Sequence, residues 1–293
     1  MEKQNQPDAK TVRIIAIIAI ILGVLGIVKY IWTEFHPENP LDKETKIATP
    51  TLFMHGYGGS VKSLHFFETQ AQKEGYTKKP VIATVGGNGH VTLKGKLDEK
   101  DKHPIVLVHL QDNENGDMKL NALWIKNVLE ALQQDYQFNQ FNIVTHSMSN
   151  MSFVKYMLDY SNNPDLPNLH KQVNLAGTFN GIIGMGDEPG KVTLDQNGKP
   201  DQMTDGYVEL LKLKKEPAYK NVDVLNIFGD IQDGTESDGR VTNASSKSLK
   251  YIMQGHAKSY REVLIKGKQG QHSQLHESDK VAEAIFKFLW KDE

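Results

Sequence analysis

The sequence predicts an α/β protein, a doubly wound and mostly parallel sheet preceded by an N-terminal transmembrane helix. Three observations carry this prediction. Residues 14–28 form an unbroken run of Ile, Ala, Leu, Gly and Val. From residue 51 onward, short apolar runs alternate with segments of helical periodicity, the pattern of parallel strands joined by crossover helices. A length of 293 residues, 39% hydrophobic and 24% charged, suits one large domain with an appendage and excludes a disordered chain.

The balance of 34 Lys and Arg against 36 Asp and Glu leaves a net charge of −2, so nothing calls for a nucleic-acid partner. Cysteine is absent, which excludes disulfides, thiolate catalysis and Cys-ligated metals while leaving the compartment open.

The first element is the apolar run. Extended through Trp32 it makes roughly 28 Å of helix, close to a hydrocarbon core of about 30 Å. Tyr30 and Trp32 fall where interfacial aromatics sit. A cleaved signal peptide is the rival reading, but residues 28–32 are bulky throughout and offer no small-x-small site. Lys3, Lys10 and Arg13 precede the run and Lys29 follows it, which favours a cytoplasmic tail. The expected organisation is a cytoplasmic tail at 1–13, an anchor at 14–32, a polar linker at 33–49 and a domain at 50–293 outside the cell.

Within the domain, residues 51–54, 81–85, 105–110, 141–145, 173–176, 222–228 and 261–265 read as strands. Residues 120–133, 151–160 and 281–290 carry apolar side chains at helical spacing. Residues 91–93 read as a further strand, forming a hairpin with 105–110 across a turn near Gly95. Residues 181–220, rich in Gly, Asp and Lys, form an insertion with one short helix candidate at 208–213. Such a long irregular stretch between two core strands reads as a lid or substrate-binding element.

The strongest chemical signal is Thr145-His146-Ser147-Met148-Ser149, where an apolar strand runs into a tight turn and then a helix. That turn exposes the Ser147 hydroxyl and aims a helix N-terminus at it. Small residues are required two before and two after the serine. Gly is usual at both places; here they are Thr145 and Ser149. A serine that merely caps a helix is the bland alternative.

Upstream, a strand leads into His55-Gly56-Tyr57-Gly58-Gly59, whose glycines let backbone N–H groups approach a reacting oxyanion. The donors expected are the amides of Tyr57 and Met148. The turn lacks a following Gly-Lys-Ser/Thr, which argues against nucleotide binding. An acid should follow the serine, and a base should follow the acid. Asp230, Asp233 and Asp238 compete for the acid, with Asp238 favoured because Asp-Gly-x-Val can tuck its valine into the core. The acidic loop reads as solvated rather than as a Ca²⁺ site. His272 and His276 compete for the base, with His272 favoured by its Gly-x-His opening and its distance to the C-terminal helix. His55 and His146 adjoin the site and are expected to pack or orient backbone.

Taken with Ser237-Asp238-Gly239-Arg240-Val241 and His272-Ser273-Gln274-Leu275-His276-Glu277, these motifs make the chain resemble the α/β-hydrolase superfamily. It is most similar to the uncharacterised lipase-like cell-surface hydrolases of Gram-positive bacteria, over roughly residues 49–290. The resemblance implies an α/β-hydrolase fold and a triad of Ser147, Asp238 and His272. It implies acyl transfer on a small-molecule or lipid-like ester, with no cofactor and no metal. A catalytically silent surface-binding module on the same fold, or a peptidase or thioesterase, is the alternative.

Overall fold

The computed structural model describes residues 21, 23–28 and 47–291. Residues 21 and 23–28 are helical, with Ile21, Val24, Leu25, Ile27 and Val28 exposed. The rest of the expected anchor, the tail and most of the linker lie outside the described residues. Among the described residues no helix is long and apolar enough to cross a membrane.

An eight-stranded sheet organises the domain. In chain order its strands are β1 (Thr51–Met54), β2 (Val81–Val85), β3 (Val91–Lys94), β4 (Ile105–Leu110), β5 (Gln140–His146), β6 (Asn168–Leu175), β9 (Asp223–Asp230) and β10 (Ser259–Lys266). A separate small ladder pairs β7 (Ile182–Ile183) with β8 (Gly186–Asp187). The spatial order is β10-β9-β6-β5-β1-β4-β2-β3, parallel except at β3. All seven core strands expected from the sequence are present.

Residues 91–93 pair elsewhere than expected. β3 runs antiparallel to β2, with Val85 opposite Val91, and β4 lies parallel on the other side of β2. The short turn between β2 and β3 explains the correction. Gly86 N–H donates to His90 O (2.9 Å) and Gly89 N–H to Gly86 O (2.8 Å). Gly89 takes φ +80°, open to glycine at little cost. Closing that tight hairpin loses less chain entropy than closing the longer link from Lys94 to Ile105.

Among the described residues of the domain, seven α-helices complete the layers: α1 (His65–Lys73), α2 (Met118–Asp135), α3 (Met148–Tyr160), α4 (Asp205–Leu210), α5 (Asn243–Lys247), α6 (Leu249–Met253) and α7 (Asp279–Phe286). α2 starts where the Asp117 carboxylate accepts from the Lys119 and Leu120 amides. Its buried stripe, Ala122, Ile125, Val128, Leu129 and Leu132, has the spacing read from the sequence. α1 buries only Phe67 and Ala71, too sparse a stripe for periodicity to mark it.

Successive strand residues alternate between two cores. Leu52, Met54, Val106, Val108, Phe141 and Ile143 face the core closed by α2 and α3. Phe53, Ile105, Leu107 and Val144 face the one closed by α1 and α7. Burial on both faces is why these strands read as continuous apolar runs. Each large apolar side chain so buried contributes roughly 1.5–3 kcal/mol. Buried Lys171 ties β6 to the C-terminal segment, donating to the Phe288 and Leu289 carbonyls at 3.1 and 2.9 Å. β1, β5, β6, β9 and β10 all end on one edge of the sheet, and that edge carries the site.

Candidate active site

Ser147 follows β5 directly, with φ 56° and ψ −123°, a conformation that L-residues adopt only when their surroundings hold them there. The holding groups are side chains. Ser149 Oγ accepts from His146 N–H (3.0 Å) and lies 2.8 Å from His146 O and 3.2 Å from Met54 O. Thr145 Oγ1–H donates to Asn150 Oδ1 (2.8 Å), and Asn150 Nδ2 donates to the carbonyls of Ser147 and Leu175, both at 2.9 Å. Thr145 and Ser149 therefore fasten the turn through hydrogen bonds. Asn150 carried no sequence signal beyond its place three residues after the serine.

The glycine loop meets this turn from β1. A Cβ on Gly56 would stand 2.9 Å from Ser147 Cβ, closer than real Cβ contacts allow, so only glycine fits. His55 braces the loop from below. Its Nδ1–H donates to Gly56 O (2.9 Å), and its Nε2 accepts from Leu110 N–H (3.1 Å). Asn113 closes the far side, with Gly58 N–H donating to Asn113 O (2.8 Å) and Asn113 Nδ2 to Gly59 O (2.7 Å). The amides of Tyr57 and Met148 have no acceptor among the described residues. Tyr57 is 59% exposed.

Asp238 comes from the turn after β9. Its carboxylate is 1% exposed; Oδ1 accepts from the Arg240 and Val241 amides at 2.9 and 2.7 Å. Val241 is buried, as Asp-Gly-x-Val suggested. Asp230 and Asp233 spend their carboxylates on local turns, accepting from Gln232 N–H and Thr235 N–H.

His272 arrives on the loop after β10. This loop presses against the end of β9: a Cβ on Gly229 would lie 1.8 Å from Gly270 O, so Gly229 cannot carry a larger residue without the backbone moving. His272 N–H donates to Asp238 O at 2.9 Å. Its Nδ1 lies 2.8 Å from Asp238 Oδ2 and its Nε2 2.9 Å from Ser147 Oγ. A carboxylate only accepts, so Nδ1 carries the proton and Nε2 is free to accept from the serine hydroxyl. The structure thus brings Ser147, Asp238 and His272 together. His276 stands aside, its Nδ1 buried without a hydrogen bond.

Burial disfavours the charged form of the neighbouring histidines. Burial pushes His146 well below the ordinary histidine range, and His272 and His276 beside it add to the effect. Burial lowers His55, His109 and His276 too. Of these four, His55 and His146, the two that adjoin the motifs in sequence, hydrogen-bond to backbone of the site.

The insertion after β6 packs beside the site. Ile183 N–H donates to Arg240 O (3.0 Å), and Thr242 Oγ1–H donates to the buried Asp187 carboxylate. Farther along, Tyr207 OH donates to Ser248 O (2.8 Å) and Lys214 Nζ to Tyr251 O (2.6 Å). Among the described residues no hydrogen bond joins it to Ser147 or His272.

Solved structures share this architecture. The lin2722 gene product of Listeria innocua is 27% identical, with a TM-score of 0.73 over 83% of this chain and 94% of its own. A protein of Lactobacillus plantarum WCFS1, named by inference as a cell surface hydrolase, is 21% identical, with a TM-score of 0.66 over 85% and 93%. No curated protein matches the chain. The family model described as an alpha/beta hydrolase of unknown function (DUF915) matches residues 38–292, and the chain belongs to that family.

Proposed function

We propose that the chain is a membrane-anchored, extracytoplasmic serine hydrolase that cleaves an ester by acyl transfer through Ser147, His272 and Asp238. One observation carries this reading: the unbroken line from Ser147 Oγ through both His272 ring nitrogens to Asp238, with links of 2.9 and 2.8 Å. His272 Nε2 takes the serine proton as Oγ attacks the carbonyl carbon. Asp238 holds the Nδ1–H tautomer and offsets the imidazolium charge. The amides of Tyr57 and Met148 receive the oxyanion, each such donor being worth about 10²–10³ in rate. His272 then protonates the leaving alcohol, and a water molecule activated by the same nitrogen releases the acid.

The exposed Tyr57 ring offers an apolar wall for the acyl or alcohol part of a small or lipid-like ester. Anchoring rests on the apolar run at 14–32 and on the basic residues before it. The domain begins at the opposite end of the sheet from Ser147, where Ile47 N–H donates to Gln137 O. The strand β5 alone separates these ends by about 23 Å at ~3.3 Å per residue.

A fluorophosphonate probe tests the chemistry: wild-type protein labels at Ser147 and Ser147→Ala does not. Labelling that persists in the alanine variant sinks the assignment. Protease treatment of intact cells tests the topology; a C-terminus protected from cleavage overturns it.

A further inference from the structure

His146 adjoins the nucleophile and meets both the base loop and the glycine loop without taking part in the proton transfers above. It precedes Ser147 in the turn and is 8% exposed. Its Nε2 lies 3.1 Å from the carbonyl oxygen of His272. A carbonyl only accepts, so Nε2 carries the proton and donates. The other nitrogen, Nδ1, faces the glycine loop: a Cβ on Gly56 would stand 3.2 Å from it. Its ring centroid is 4.8 Å from that of His272 and 5.1 Å from that of His276, the latter edge-on. Burial disfavours a charge on this ring, which suits its place wedged between two other imidazoles.

The loop carrying His272 is tied to the Asp238 loop by the His272 N–H bond to Asp238 O, and to β9 by the close approach of Gly270 to Gly229. Among the described residues one hydrogen bond joins the backbone of that loop to the nucleophile strand, and it comes from His146. We propose that His146 is a positioning residue for the base: its Nε2–H bond to the His272 carbonyl sets the distance between the base loop and the nucleophile turn. The proposal rests on reading Ser147, His272 and Asp238 as a triad. Geometry of this kind matters because a misplacement of about 1 Å can cost on the order of 10²-fold in rate.

Three variants of the full chain separate positioning from packing. In His146→Gln the side-chain amide nitrogen occupies the place of Nε2; in His146→Asn it falls short, and His146→Leu has no donor. Phosphonate labelling of Ser147 and hydrolysis of a p-nitrophenyl ester are measured for each. The Leu and Asn variants lose about ten- to a hundredfold in kcat with KM little changed, and Gln recovers most of that loss. Equal rates for Gln and Asn, or a wild-type rate for Leu, overturn the proposal. Wild-type protein that fails to label at Ser147 overturns the hydrolase reading instead. Nitrogen-15 spectra of wild-type histidines give a check that no variant's folding affects. An Nε2–H tautomer for His146 at neutral pH is expected, and an Nδ1–H tautomer overturns the proposal.

Discussion

The nucleophile turn and the insertion after β6 lie at the same edge of the sheet and are held in opposite ways. The turn is braced mostly from within a few residues of itself: Thr145, His146, Ser149 and Asn150 hydrogen-bond to one another and to Ser147. The insertion is braced from far along the chain. Ile183 and Asp187 reach Arg240 and Thr242, Ser245 reaches Gly181 O, and Tyr207 reaches Ser248. Local bracing survives changes elsewhere in the domain, whereas long-range bracing makes the insertion and the Asp238 turn one unit. The strained serine therefore sits on the self-sufficient region, and the acid sits on the dependent one.

The largest effect tests the dependent side. Asp238→Asn keeps the shape but lets the ring adopt the wrong tautomer, and kcat on a p-nitrophenyl ester falls by about 10⁴. Asp230→Asn and Asp233→Asn leave the rate near wild type, because those carboxylates serve local turns. A comparable loss in either one breaks the assignment of the acid.

Next comes the self-sufficient side. Ser149→Ala removes the acceptor of the buried His146 N–H, and urea denaturation should register a loss of about 1–3 kcal/mol. If the turn is braced locally, hydrogen exchange at residues 181–187 stays unchanged in this variant.

Asp187→Asn probes the insertion in turn. Its carboxylate accepts from Thr242 Oγ1 and from Glu188 N–H, and a neutral amide weakens both at a cost of about 1 kcal/mol. Exchange rises together at 181–187 and 238–242 while the turn around Ser147 keeps its protection. Faster exchange at 145–150 would show that the two regions are coupled after all.

A pH dependence of stability is the remaining test. Burial lowers His146, His55 and His276 in the folded state, so below the unfolded value of about 6.5 the unfolded chain binds more protons. Stability is full above that pH and is lost as pH falls through it. The slope is up to about 1.4 kcal/mol per pH unit for a histidine that stays neutral, as His146 should. Urea midpoints between pH 7 and 5 measure it, and His146→Gln reduces the slope.

Much of this molecule was legible in sequence because its signals are short-range. The seven core strands announce themselves as apolar runs, since burial on both faces demands apolar residues at every position. The strand, turn and helix around Ser147 show in consecutive residues, and so does the glycine loop after β1. The helix α1 did not show, having only two buried side chains, and β3 showed as a strand but with the wrong partner. Register between strands depends on which chain closure costs least entropy, and local pattern does not encode that.

Choosing among three aspartates and two histidines also lay beyond spacing, although the Asp-Gly-x-Val and Gly-x-His contexts leaned toward Asp238 and His272. Sequence alone determined the strand content, the strained serine and its glycine partner, because each depends on residues within a few positions. Tertiary structure decided which acid meets which base, the joining of the insertion to the Asp238 turn and the link from His146 to His272. Those contacts depend on how β5, β9 and β10 end side by side, over separations of up to 126 residues. Only the assembled sheet brings such distant positions within hydrogen-bond range.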